Sequence, residues 1–400
     1  MTNRSKMKRS ESQPDHNEMF RDPMEVICGL TEIKSVSRNA MDYEVQGSWW
    51  DILQEFGITL LATREYEHLV LALQADDASK PNITMLRIPH PSGLAVDRVR
   101  EKVFIACTRN PNQVFGFAPS QKLMHRLDVE DMPVEDKPLM PTFSRFYPGC
   151  LYLHDLALIG DDLYANSVGQ NAVVRFESAG LPRRVWWPKC IETGQGPVFG
   201  RNHLQLNSIA AGKSIKESFF SASTDELSFP LPGDPNFSVD RRGVIFAGAS
   251  REVVARGLTR PHSARIYDRR LWVDNSGYGE VGYIEDGEFH CLSRLPGWTR
   301  GLCFFKDVMF VGTSKVLPRF RGYAPGLDIA SSNCGIYAVD IQSAKILGSI
   351  VWPSGDQIFS LEWMPQEMSK GFAFRWPSDG SEERIRKLFY SYHILSGSED

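Results

Sequence analysis

The sequence predicts an all-β fold, a β-propeller, on three observations. A short apolar strand, a turn and a second apolar strand ending in small polar residues recur along the chain. One or two further strand-like runs follow each copy, and helical periodicity is scarce. The runs are continuously apolar, as sheets buried on both faces require. Repeats of roughly 40 to 60 residues with about four strands each are the pattern of stacked blades.

Taken in order, residues 1–22 read as a disordered tail, polar and without the apolar centre of a signal peptide. Residues 23–57 form a lead-in, with GSWWDILQEFG (47–57) as a short helix. The propeller spans 58–376 and opens with ITLLAT (58–63), HLVLAL (68–73) and ITMLRI (83–88). These three strands lack an inner strand of their own. The hairpin copies start at Ser92, His154, Asn207, His262 and Arg300, and a weaker sixth copy, FSLEWMPQEMSKGFAFRW, starts at Phe359. Val, Ile, Phe, Tyr and Trp fill the runs between them, such as QVFGF (113–117), AVVRF (172–176) and GIYAVD (335–340). FSLEWM supplies the missing inner strand, so that one blade made from both chain ends closes the ring and removes open sheet edges. This gives six blades; seven result if the two ends form separate blades. Residues 377–400 form a tail with a helical stretch at 381–389.

Composition excludes several classes. The 400 residues carry a net charge of −4, with no basic excess to attract nucleic acid or an anionic membrane. No apolar run reaches the length of a transmembrane helix. Seven cysteines, an odd number with no CxxC pair, argue against a disulfide framework or a zinc site and for a reducing, cytoplasmic compartment. No βαβ glycine fingerprint occurs, so no nucleotide or NAD is expected.

In a propeller the start of each inner strand and the end of the second strand lie at one face of the disc. The starts are Ser92, His154, Asn207, His262, Arg300 and Phe359. The ends are Thr108 and Arg109, Asn166 and Ser167, Ser223 and Thr224, Asp274 and Asn275, and Thr313 and Ser314. Turn chemistry alone accounts for the small polar ends. It accounts less well for histidine and arginine at equivalent starts. Arg300, always charged, needs an acid or an anionic ligand, and Asp274 is one candidate partner. His203 lies four residues before Asn207 and reaches toward the same mouth, and Asp155 either orients His154 or points away.

Several long segments carry a family resemblance. They are LHDLALIGDDLYANS, RNHLQLNSIAA, GLTRPHSARIYDRRLWVDNSGYGEVGYIEDGEF and LPGWTRGLCFFKDVMFVGTSK, with CGIYAVDIQSAKILGSIVW and FGITLLATREYEHLVLAL beside them. In this order they resemble a bacterial conserved-hypothetical propeller family described as a domain of unknown function. Its members carry "HLNGLA", "PHSPR…LWLLDSGTGE" and "LPGFTRGL" segments. The resemblance covers most of residues 47–365 and implies a propeller, since fold does not give function. Gln205 and Ser208 depart from the family's Asn-Gly pattern; His154, His203, Asn207, His262, Asp274 and Arg300 match its recurring positions.

Two functions follow from this reading. The first is a small-molecule enzyme of specialised metabolism with its site at the channel mouth. Propellers of the lactonase, strictosidine-synthase and streptogramin-lyase kinds are similar in plan. His154 or His262 is then the acid or base, and Arg300 holds a carboxylate or a developing oxyanion. Asn207, Asp274, Asn275 and His203 contact substrate. A divalent metal on His154, His262 and Asp274 suits a mixed nitrogen and oxygen donor set. The chemistry is lyase, hydrolase or isomerase. The second function is a non-catalytic propeller that binds a ligand or a protein partner through its mouth and through the loops at 225–240 and 319–326.

Overall fold

The computed structural model describes residues 38–372, apart from 77, 109–111, 121–136 and 228. The expected tails, residues 23–37 of the lead-in, the helix at 381–389 and Arg109 lie outside the described residues.

Six antiparallel sheets form the blades of a propeller. Blade 1 runs Ser360–Pro365, Ile58–Arg64, Leu69–Ala75, Pro81–Arg87, so both ends of the chain build it. Blade 2 runs Pro91–Asp97, Lys102–Cys107, Gln113–Pro119, Leu139–Phe146, and blade 3 runs Leu153–Ile159, Asp162–Ser167, Ala172–Arg175, Arg183–Trp186. Blade 4 runs Leu206–Ala210, Phe219–Ala222, Gly243–Ala247, Val253–Leu258. Blade 5 runs Pro261–Tyr267, Arg270–Asn275, Glu280–Glu285, Glu288–Arg294. Blade 6 runs Trp298–Phe305, Val308–Ser314, Gly335–Asp340, Ile346–Val351. The first-named strand of each blade packs against its counterparts in the two neighbouring blades, and together they close a ring.

The sixth copy is described only in its first half and at Gly371 and Phe372 of its second. FSLEWM pairs with ITLLAT as expected, from Ile58 opposite Pro365 to Thr63 opposite Ser360. Phe372 bridges to Leu139 of blade 2, and residues 373–376 lie outside the described residues. An unforeseen strand, Glu44–Gly47, adds a fifth member to the outer edge of blade 6.

The helix Trp49–Phe56 seals the seam between blades 6 and 1. Its apolar stripe puts Trp49, Ile52 and Leu53 inside, in one core with Leu60, Leu71, Phe310, Ile336 and Trp352. Gly57 ends it in the left-handed conformation (φ 59°), where glycine pays no Cβ penalty. Each such side chain, fully buried, contributes about 1.5–3 kcal/mol. Among the described residues no helix is long and apolar enough to cross a membrane.

Candidate functional site at the channel mouth

The hairpins of blades 2 to 6 share a defect at the mouth. Their strand register shifts between Pro91 and Leu94, Ala165 and Ser167, Leu206 and Ser208, His262 and Arg265, and Thr299 and Leu302. A bulge leaves backbone N–H groups without a ladder partner and re-aims the adjacent side chains. Backbone N–H groups of the inner strands are taken up by side chains of the preceding blade. Asp155 Oδ2 accepts from Ile209 N (3.0 Å), Ser208 Oγ from Ala264 N (2.8 Å) and Ser263 Oγ from Gly301 N (2.7 Å). In each case the residue before the acceptor is a ring position: His154, Asn207 or His262. The blades are therefore stitched together one residue past the groups they present.

These groups surround two cavities. A mouth cavity of about 390 Å³ is lined by His154, His262, Arg300, Gln357 and Phe359, with Glu65 and Lys315 beside them. A small cavity of about 10 Å³ is lined by His154, Asp155, Asn207, His262, Ser263, Arg300, Phe359 and Ser360. Five of the six expected strand starts thus converge. The sixth, Ser92, spends its hydroxyl on Ala106 O (3.1 Å) and Leu153 O (2.9 Å), between blades 2 and 3.

Hydrogen-bond partners fix the two imidazoles in different situations. His154 Nδ1 lies 2.7 Å from Asn207 O, a pure acceptor, so Nδ1 carries the proton. Its Nε2 then accepts from Arg300 Nη2 at 2.8 Å. Both nitrogens are engaged. His262 Nδ1 lies 2.8 Å from Arg260 O and 3.1 Å from Ser276 Oγ, so this nitrogen too carries the proton. No described protein group hydrogen-bonds to His262 Nε2, and its residue lines both cavities. Burial first, then the Arg300 charge, pushes both histidines well below the usual imidazole range. Both are neutral at pH 7, and the lone pair of His262 is the available base.

Arg300 stacks its guanidinium 3.4 Å over the Phe359 ring. Its Nη1 donates to the Gln357 amide oxygen (2.7 Å), whose nitrogen donates to Glu65 Oε2 (3.0 Å). Glu65 Oε1 lies 3.7 Å from His90 Nδ1. The acid connected to Arg300 is therefore Glu65, through Gln357, and not Asp274.

Other expectations are corrected. Asp274 is fully buried and lines neither cavity; burial holds its carboxyl well above the usual carboxylate range. Asn275 uses both ends of its amide structurally, accepting from Thr259 N (2.6 Å) and donating to Glu280 (2.8 Å). His203 packs edge-on against Phe229 and lines neither cavity. Asn207 faces the small cavity and not the larger one. Asp155 does not orient the His154 ring by a hydrogen bond; it pairs with Arg265 of blade 5 (3.0 Å). A metal on His154, His262 and Asp274 does not fit. His154 has no spare nitrogen, Asp274 lines neither cavity, and among the described residues no three His, Cys, Asp or Glu side chains are grouped to hold an ion.

Several site residues escaped the sequence reading. Gln357 and Glu65 lie outside the recurring hairpins. Arg260, two residues before His262, is buried and still charged, its pKa lowered to about 10 by burial. It donates to Gln205 Oε1 and Pro232 O and stacks 4.0 Å under the Tyr323 ring. The loops at 225–240 and 319–326 meet there, Tyr323 donating to Gly233 O (3.3 Å). With Trp298, which stands edge-on to His262 (5.8 Å), Phe320 and Tyr323 make one aromatic wall. The charged residue ahead of the "PHS" strand and the aromatics of RFRGYAPG were the available signals.

Fold and site together define a six-bladed propeller with a histidine–arginine pocket at one mouth. The chain belongs to the family described as a domain of unknown function, DUF4915, whose model matches residues 47–371. No curated protein matches it. Among solved structures, a nidogen/laminin complex is similar at 10% identity and a TM-score of 0.49, covering 76% of this chain and 98% of that one. A gluconolactonase from Xanthomonas campestris is similar at 15% identity and a TM-score of 0.42, covering 74% and 86%. A regucalcin from Agrobacterium tumefaciens is similar at 7% identity and a TM-score of 0.40, covering 65% and 73%. Likenesses at this level assign no residue a role.

Proposed function

We propose that the mouth cavity is the active site of an enzyme acting on a small molecule with an anionic or carbonyl oxygen. The observation that carries this is the pairing of His262 Nε2, a neutral base without a protein partner, with the Arg300 charge in one cavity. Among the described residues, Arg300 and Lys315 against the one lining carboxylate, Glu65, leave the cavity net positive. The aromatic wall supplies flat apolar surface to a ligand body. His262 acts as the base and Arg300 steadies the charge that develops on oxygen. His154, with both nitrogens engaged, positions Arg300. The two loops read as possible partner contacts are packed on each other over the cavity, which favours a small ligand.

The test is a thermal-shift screen of small carboxylates against their neutral amides, followed by turnover assays on the binders. Carboxylates are expected to raise the Tm of the wild type and not of Arg300→Met. His262→Gln is expected to keep binding and to lose turnover about 10²-fold or more. Equal binding of amides and carboxylates, or binding that survives Arg300→Met, rejects the reading.

A further inference from the structure

The small cavity below the mouth has the size and chemistry of a single ligand. Its volume, about 10 Å³ of space for a water-sized centre, is that of one water molecule. Among its lining residues, the buried Asn207 Oδ1 and Ser360 Oγ have no hydrogen-bond partner. His262 Nε2, of a third lining residue, has no protein partner either. A buried amide oxygen without a partner costs about 1–3 kcal/mol, so the cavity favours an occupant that donates to it. Charge selects which. An anion, though drawn by the Arg300 guanidinium, meets two acceptors, the Asn207 oxygen and the imidazole lone pair. A cation meets the guanidinium of Arg300. A neutral molecule that both donates and accepts satisfies all of them.

We infer that this cavity binds one water molecule between Asn207 and His262, and that this water is the group His262 deprotonates. The second half rests on the function proposed above and narrows it to the addition of water. In the step, His262 Nε2 takes one proton of the water. The water oxygen bonds to an electrophilic carbon of the ligand. The electron pair displaced from that carbon moves onto the ligand oxygen beside Arg300. Water is the only co-reactant.

The test is a high-resolution crystal structure of the full chain, with and without a bromide soak, together with oxygen-17 relaxation dispersion, which counts long-lived internal waters. The expected result is one water at about 2.6–3.2 Å from both Asn207 Oδ1 and His262 Nε2, and one fewer long-lived water in Asn207→Leu. Ser360→Ala, which keeps the Asn207 amide bond to blade 5, is expected to shorten that water's residence. A bromide peak in the cavity, or no water there, overturns the inference. If carboxylates still bind the mouth while the cavity is dry, the water site alone fails. If the water is present and no carboxylate binds, the role as reactant falls with the function.

Discussion

His154 and His262 lie 5.4 Å apart, ring to ring, yet only one is chemically available. Both are depressed well below 6.5, so the unfolded chain binds their protons first. Their contribution to stability is therefore full above about pH 6.5 and is lost as pH falls through 6.5 toward the folded values. The expected slope is up to about 1.4 kcal/mol per pH unit for each histidine, read from urea midpoints between pH 5 and 7.5, and His262→Gln should remove about half of it. Asp274 has the opposite sign. Its raised folded pKa makes its contribution complete below about 3.8 and erodes it as pH climbs. Asp274→Asn should gain on the wild type between pH 4 and 8; a constant difference in Tm across that range would show that the carboxyl is not held neutral. The ring residues were legible because equivalent strands repeat. The fate of each side chain was not, because it turns on partners such as Asn207 O and Arg260 O that come from other blades or from the backbone.

The bulged hairpin is the unit that makes the site. The strands themselves were readable from apolar runs and turn residues, and so was the lead-in helix. The bulge was not, since one added residue leaves the apolar pattern almost intact while shifting the register at its last few positions. That shift separated expectation from structure at Asp274 and Asn275, which pair with His262 and Pro261 but line no cavity. It also creates the stitching between blades. Ser263→Ala removes the acceptor for Gly301 N, on the residue after Arg300. Leaving that buried donor unpaired should cost about 1–3 kcal/mol and weaken carboxylate binding through a displaced Arg300. A variant with unchanged stability and affinity would show that the stitch does not position the ring.

The whole molecule is a ring fastened at two seams by its two ends: Ser360–Pro365 inside blade 1 and Glu44–Gly47 outside blade 6. The first seam was visible from three N-terminal strands without an inner partner. The second was not, because EVQG is too short and polar to read as a strand. Trp49 lies fully buried between blades 6 and 1, edge-on to Phe310 (6.0 Å). Trp49→Ala should cost about 3–5 kcal/mol, and chemical denaturation that still showed one transition of unchanged midpoint would mean the helix is not part of the fastening. The first seam also bears on the order in which the protein comes into being. Gln357 and Phe359 lead into the strand that closes blade 1, and Glu65 follows its first-made strand. During synthesis five blades can be complete while the pocket still lacks part of its floor and the group joining Glu65 to Arg300. A chain cut short before residue 357 would keep the strands of blades 2 to 6 and lack both Gln357 and the inner strand of blade 1.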